Sequence, residues 1–175
     1  MNADEKAKIL VELVRGREAL LGAVDGVGED AGARAPGPGK WSVLECVEHL
    51  AIAEEHLLAQ MTRAQKSETP AIDPARESRI AARAADRTRP VASPDQGKPT
   101  GRFASLEQAL AAFSATRQRT IGWVEECTDD PRLLLTSHPL IPTVNCYEML
   151  LMIAAHPLRH VQQIEEIKAA LSSPR

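Results

Sequence analysis

The stretch WSVLECVEHLAIAEEHLLAQMTR, residues 41–63, is the one from which the fold follows. Ser42 precedes Val43 and Glu45 lies three residues on, the spacing of a capping box. In such a box the serine oxygen accepts from the Glu45 amide and the Glu45 carboxylate accepts from the Ser42 amide. Trp41 is placed to pack as the hydrophobic staple before that cap. Leu44, Val47, Leu50, Leu57 and Met61 then recur at helical spacing, which predicts one amphipathic helix ending near Arg63.

Upstream, Ile9, Leu10, Leu13, Val14, Leu20, Leu21 and Val24 form an apolar stripe, predicting a first helix from about Glu5 to Val24. It stops in DGVGEDAGARAPGPGK, too rich in glycine and proline to continue a regular element. Downstream, periodicity fails over the long connection 65–104, where prolines at 70, 74, 90, 94 and 99 interrupt it. Within it ARESRIAARAADR reads as one exposed helical piece. Ser105 and Gln108 repeat the capping spacing and open a third helix to about Cys127, with Leu106, Leu110, Phe113, Ile121 and Val124 apolar. Asp129, Asp130 and Pro131 end it. A rigid loop, SHPLIPT, leads to a fourth helix from near Thr143 or Asn145 to about Leu171, turning Leu150, Leu151, Ala154, Leu158 and Val161 inward. Four long amphipathic helices and no strand-like segment predict an all-α four-helix bundle, one domain spanning 1–175.

Composition narrows the function classes. Aromatics are only 3% of the chain, and alanine and leucine abound, favouring helix over sheet. A formal net charge of −3 argues against a general nucleic-acid binder, although basic residues cluster between Lys66 and Arg102. With no long apolar run, no membrane span is expected. MNADEKAKIL lacks the build of a secretory signal, and Cys46, Cys127 and Cys146 lack Cys-x-x-Cys spacing. They read as reduced thiols in a cytoplasmic protein.

The chemistry is concentrated in histidines. In HPLRH, His156 and His160 stand four residues apart and share one helix face. His49 lies roughly 10 Å along the second helix, and His160 roughly 16 Å from the end of the fourth. These levels coincide if the two helices run antiparallel, with residues 65–104 available as the crossover. Three neutral imidazoles suit zinc, nickel or iron, and also copper, and leave positions open for water or substrate.

Other groups carry plainer readings beside functional ones. Glu45 lies one turn before His49, as a cap or a fourth ligand; Cys46 is a core thiol or a soft ligand. His56 is a satisfied histidine or a ligand, and His138 is a solvated loop residue or a lining of a pocket mouth. Arg159 pairs with a carboxylate or anchors an anion, and Gln163 can bond outside the ligands. ARESRIAARAADRTR reads chiefly as a solvated arginine-rich helix, and otherwise as a site for phosphate groups or an acidic partner. Pro157 deletes the hydrogen bond to the Ile153 carbonyl, which either tunes the angle between the imidazoles or distorts their spacing.

GKWSVLECVEHLAIAEEHL resembles the helix-two signature of the DinB/YfiT-like superfamily, and HPLIPTVNCYEMLLMIAAHPLRHVQQI its helix-four signature. The resemblance lies in WS-x-x-E-x-x-x-HL followed far downstream by H-x-x-R-H-x-x-Q; Pro157 departs from the pattern. It implies an up-down-down-up bundle, a divalent metal held by His49, His156 and His160, and a homodimer. Characterised members of that superfamily include S-transferases using low-molecular-weight thiols and a mycothiol-dependent maleylpyruvate isomerase; many others are described as metal-dependent hydrolases.

The expected function is therefore a metal-dependent enzyme activating a small thiol or water for attack on an electrophilic small molecule. No catalytic base is assigned; Glu45, His56 and His138 are the candidates. The competing expectation is a metal-stabilised bundle acting as a binding or stress-response module. Access separates the two, because a module needs no open cavity beside the ion.

Overall fold

The computed structural model describes residues 1–89 and 91–172; of the five prolines in the connection, the one at 90 lies outside the described residues. The described chain is mostly helical. Its long helices are α1 (Ala3–Val24), α3 (Val43–Thr62), α5 (Leu106–Glu126) and α6 (Cys146–Ser172), with shorter helices α2 (Glu29–Ala33) and α4 (Pro74–Ala85). Strands β1 (Gln65–Lys66), β2 (Leu134–His138) and β3 (Ile141–Asn145) form a small antiparallel sheet in that order.

Caps explain where the helices begin. The Ser42–Glu45 box closes at both ends, with Ser42 N donating to Glu45 Oε2 at 2.7 Å and Glu45 N to Ser42 Oγ at 3.1 Å. Asn2–Glu5 and Asn145–Glu148 form equivalent reciprocal pairs ahead of α1 and α6. At α5 only half a box forms: Ser105 Oγ accepts from Gln108 N, but the Gln108 side chain accepts from Ala104 N. The Glu29 carboxylate of α2 accepts from Leu106 N at 2.8 Å and so serves the first α5 amides.

The expectation of no strand is corrected. SHPLIPT spans the end of β2, the turn at Pro139 and Leu140 and the start of β3 in a hairpin, with Thr136 opposite Val144 and an irregularity between Thr136 and His138. β1 extends it by pairing Gln65 with Leu135. α2 likewise interrupts a stretch expected to be irregular. α4 is not a merely exposed piece: it packs on α6, burying Ile80 and Glu77. Arg132 meets that Glu77 at 2.7 Å and Glu5 at 2.9 Å, over the Tyr147 ring.

Burial follows the expected stripes with local corrections. Ile9, Leu13, Leu20 and Val24 are buried in α1, but Val14 is 39% exposed and Gly16 takes an inward place. A methyl group on Gly16 would stand 2.6 Å from the Ala154 carbonyl oxygen, so α1 and α6 touch backbone to backbone there. The inward face of α6 is centred on Leu150, Ile153, Ala154, Pro157 and Ile164, while Leu151, Leu158 and Val161 are only half-buried. α3 and α6 run antiparallel: Cys146 at the start of α6 meets Met61 near the end of α3, and His49 meets His156.

Candidate metal centre

Early α3 supplies His49 and mid-α6 supplies His156 and His160, and the antiparallel packing brings the three rings to one level. His156 Nε2 lies 3.2 Å from His49 Nε2 and 3.0 Å from His160 Nε2. One potential ligand atom from each ring falls within 4.8 Å of the other two. Despite Pro157, the HPLRH spacing lets its two imidazoles converge.

Protonation follows from the neighbours. The Gly97 carbonyl accepts from His49 Nδ1 at 2.5 Å, so that nitrogen carries the hydrogen and Nε2 keeps its lone pair. Burial pushes all three histidines below the usual imidazole range, against the opposing Gly97 bond at His49 and assisted by the neighbouring imidazoles at His156 and His160. They are neutral, the state in which a ring nitrogen can bind a cation. His160 Nδ1 meets no hydrogen-bonding atom among the described residues, so it lacks the outer partner that His49 has. The donor set, its convergence and its neutrality fit a divalent transition ion.

The surroundings hold this arrangement. Gly97 belongs to a single 3-10 turn (Asp95–Gly97), and a methyl group there would approach His49 Cε1 at 3.4 Å. Buried Glu48 accepts from Thr100 N at 2.7 Å and from Arg102 N at 2.9 Å, tying the following residues to α3 beside His49. The Trp41 ring lies 5.0 Å from that of His49 and stacks 6.3 Å from that of His160, so Trp41 walls the cluster as well as preceding the helix.

One turn below, the carbonyl that Pro157 leaves without its helical donor is taken up. Arg117 Nη2 donates to Ile153 O at 3.1 Å. Arg117 is fully buried, and Glu54 holds it through bonds of 2.8 and 2.7 Å while Thr120 Oγ1 donates to the same carboxylate.

The remaining candidates separate. Glu45 is spent on its cap. Cys46 is fully buried in the core, and burial pushes its thiol up to about 12, leaving it protonated. Among the described residues Arg159 pairs with no carboxylate; it donates to the Asp86 and Arg89 carbonyls and so secures the chain after α4. His56 bonds to Gln60, and His138 Nδ1 accepts from Leu140 N at 3.1 Å; both line the cavity that holds the three histidines, as does Gln163. That cavity is about 1110 Å³, large enough for a small organic ligand beside the cluster.

The family profile of the DinB superfamily matches residues 12–164. Among solved structures the chain is similar to YfiT from Bacillus subtilis, described as a probable metal-dependent hydrolase with an unusual four-helix bundle topology. The two are 19% identical, with a TM-score of 0.61 over 99% of this chain and 91% of that one. It is also similar to TT2238, a four-helix bundle protein, at 19% identity and a TM-score of 0.60 over 92% of this chain and 98% of that one. No curated protein sequence matches the chain.

Proposed function

The chain belongs to the DinB superfamily, and from that premise we propose that it is a metal-dependent enzyme acting on a small electrophilic molecule with a thiol or water as nucleophile. The observation that carries this reading is a convergent cluster of three neutral imidazoles opening on a large cavity. His49, His156 and His160 would hold the ion through their ring nitrogens. When bound, a divalent ion supplies Lewis acidity, lowering the pKa of a coordinated water or thiol. The likeness to YfiT, a probable metal-dependent hydrolase, supports the same reading.

The protein's own contribution is positional. Gly97 fixes the His49 tautomer, leaving Nε2 bare toward the cluster. Burial keeps the three rings from taking up protons near neutrality. Trp41 packs apolar surface against the rings. Because His138 Nδ1 accepts from the Leu140 amide, its Nε2 carries the hydrogen, and burial keeps the ring neutral. From the cavity wall it is suited to donate a hydrogen bond to a ligand.

We take the long helices to run up, down, down, up, with residues 65–104 as the crossover. Lys6 reaching Glu125 O, Arg117 reaching Leu13 O and Lys168 reaching Ala23 O support that order.

A non-catalytic module needs no such cavity beside the cluster, so the enzyme reading is preferred. Its test is consumption of epoxide, alkyl halide or ester probes by protein loaded with zinc, nickel or iron, with and without an added low-molecular-weight thiol. Thiol-dependent loss of the electrophile indicates transfer, and thiol-independent loss of the ester indicates hydrolysis. No turnover with a metal-replete protein across these probes would count against the enzyme reading.

A further inference from the structure

The arginine-rich segment of the connection, read from sequence chiefly as a solvated helix, forms a wall of the cavity that holds the histidines. Arg76, Arg79 and Arg83 on α4 recur at spacings of three and four, so they share one helix face. Arg87, Arg89, Arg159 and Lys40 complete a lining of seven cations against one carboxylate, Asp86. This concentration occurs in a chain whose formal net charge is −3.

Some of these cations are engaged. Arg76 pairs with Glu148 at 3.0 Å, Arg87 with Glu166 at 3.1 Å, and Arg159 serves backbone carbonyls. The rest are underused. Arg79 and Lys40 are exposed and form no side-chain hydrogen bond or ion pair with any described residue. Arg83 and Arg89 both reach only the far limit of contact, 4.0 Å, with the same Asp86 oxygen. The apolar part of the lining includes Leu57, Ile80 and Met152. A concave site with one sign of charge concentrates ligands of the other sign.

We propose that the cavity selects an anionic small molecule, one bearing carboxylate or phosphate groups on a partly apolar body, and that Arg79 and Arg83 are its principal specificity residues. Such a ligand would place its charge against α4 and its reactive group toward the histidines. This rests on the metal-centre reading for the reactive end only, because the basic wall exists without an ion.

The test uses two thiols with protein loaded with cobalt(II): mercaptosuccinate, carrying two carboxylates, and uncharged 1-thioglycerol. Binding is followed by thiolate-to-cobalt absorption at low ionic strength. Mercaptosuccinate is expected to bind more tightly, and Arg79→Ala with Arg83→Ala to weaken it about tenfold, or about threefold per arginine, from exposed ion-pair strengths. The double variant should leave 1-thioglycerol unchanged, lysine at both positions should restore most of the loss, and added salt should erode the difference. Both probes weakening equally, or neither responding, would overturn the proposal. Calorimetry with succinate on metal-free His160→Ala separates the two readings. Arginine-dependent succinate binding without any cobalt–thiolate absorption would sink the metal centre and keep the basic wall. Equal cobalt absorption from both thiols with no succinate binding would do the reverse.

Discussion

Replacing Arg117 with methionine removes the guanidinium from a fully buried position and takes a donor from three acceptors. The Glu54 carboxylate loses both short bonds, Leu13 O loses a donor at 2.6 Å, and Ile153 O loses the donor that stands in for the missing Pro157 amide. Breaking a buried ion pair from one side costs about 3–5 kcal/mol. An orphaned buried carbonyl adds about 1–3 kcal/mol. Leu13 O can keep its helical amide partner, so it adds little. The sum is about 4–8 kcal/mol, and even its lower end, about 4 kcal/mol, is a large part of the ~5–15 kcal/mol typical of a domain. A loss of about 4 kcal/mol should lower the melting temperature by about 8–16 °C at this chain length. Thermal unfolding by circular dichroism reads the total. A double-mutant cycle reads the carbonyl alone: Pro157→Ala restores an amide to Ile153 O, so it should help the Arg117→Met background by about 1–3 kcal/mol more than the wild type. Equal effects of Pro157→Ala in both backgrounds, or a melting temperature for Arg117→Met within about 2 °C of wild type, would refute the reasoning.

Two glycines of α1 should respond oppositely to alanine. Gly16→Ala drives a methyl against the Ala154 carbonyl and should cost about 1–3 kcal/mol, whereas Gly22→Ala meets open space and should stabilise by about 0.5–1 kcal/mol in urea melts. Metal-free protein should also lose stability in acid. His156 and His160 titrate well below 6.5 in the folded state because of burial. Above pH 6.5 both folded and unfolded chains keep these rings neutral. Below it the unfolded chain takes up protons that the folded one refuses, so stability falls with pH by up to about 1.4 kcal/mol per unit for each ring. Urea melts at pH 7.5 and 5.5 test this. A flat profile, or one unchanged in His156→Leu, would contradict it.

Much of the architecture was legible where local chemistry decides it. Ser42 and Glu45 announced the start of α3, and the His156–His160 spacing with His49 at matching depth announced the cluster. The hairpin was hidden because Pro139 stands in its turn and Pro142 inside β3, and each strand has only five residues. The partner of His49 is a backbone carbonyl of Gly97, forty-eight residues away, and a backbone acceptor leaves no side-chain signal. The buried pair did leave one. Arg117 sits between Phe113 and Ile121 at four-residue steps, and Glu54 between Leu50 and Leu57, so both charges interrupt apolar stripes and were readable as facing each other. The role of α4 was missed because its burial rests on Ile80 and Glu77 while its arginines suggested solvent.

The most direct test of the metal centre is the metal content of protein purified without a histidine tag, compared among wild type, His49→Ala, His156→Ala and His160→Ala. About one divalent ion per chain is expected in the wild type, with marked loss in each variant. Equal metal content in all four proteins, or none in the wild type after exposure to zinc, nickel and iron, would contradict a centre built from these three imidazoles.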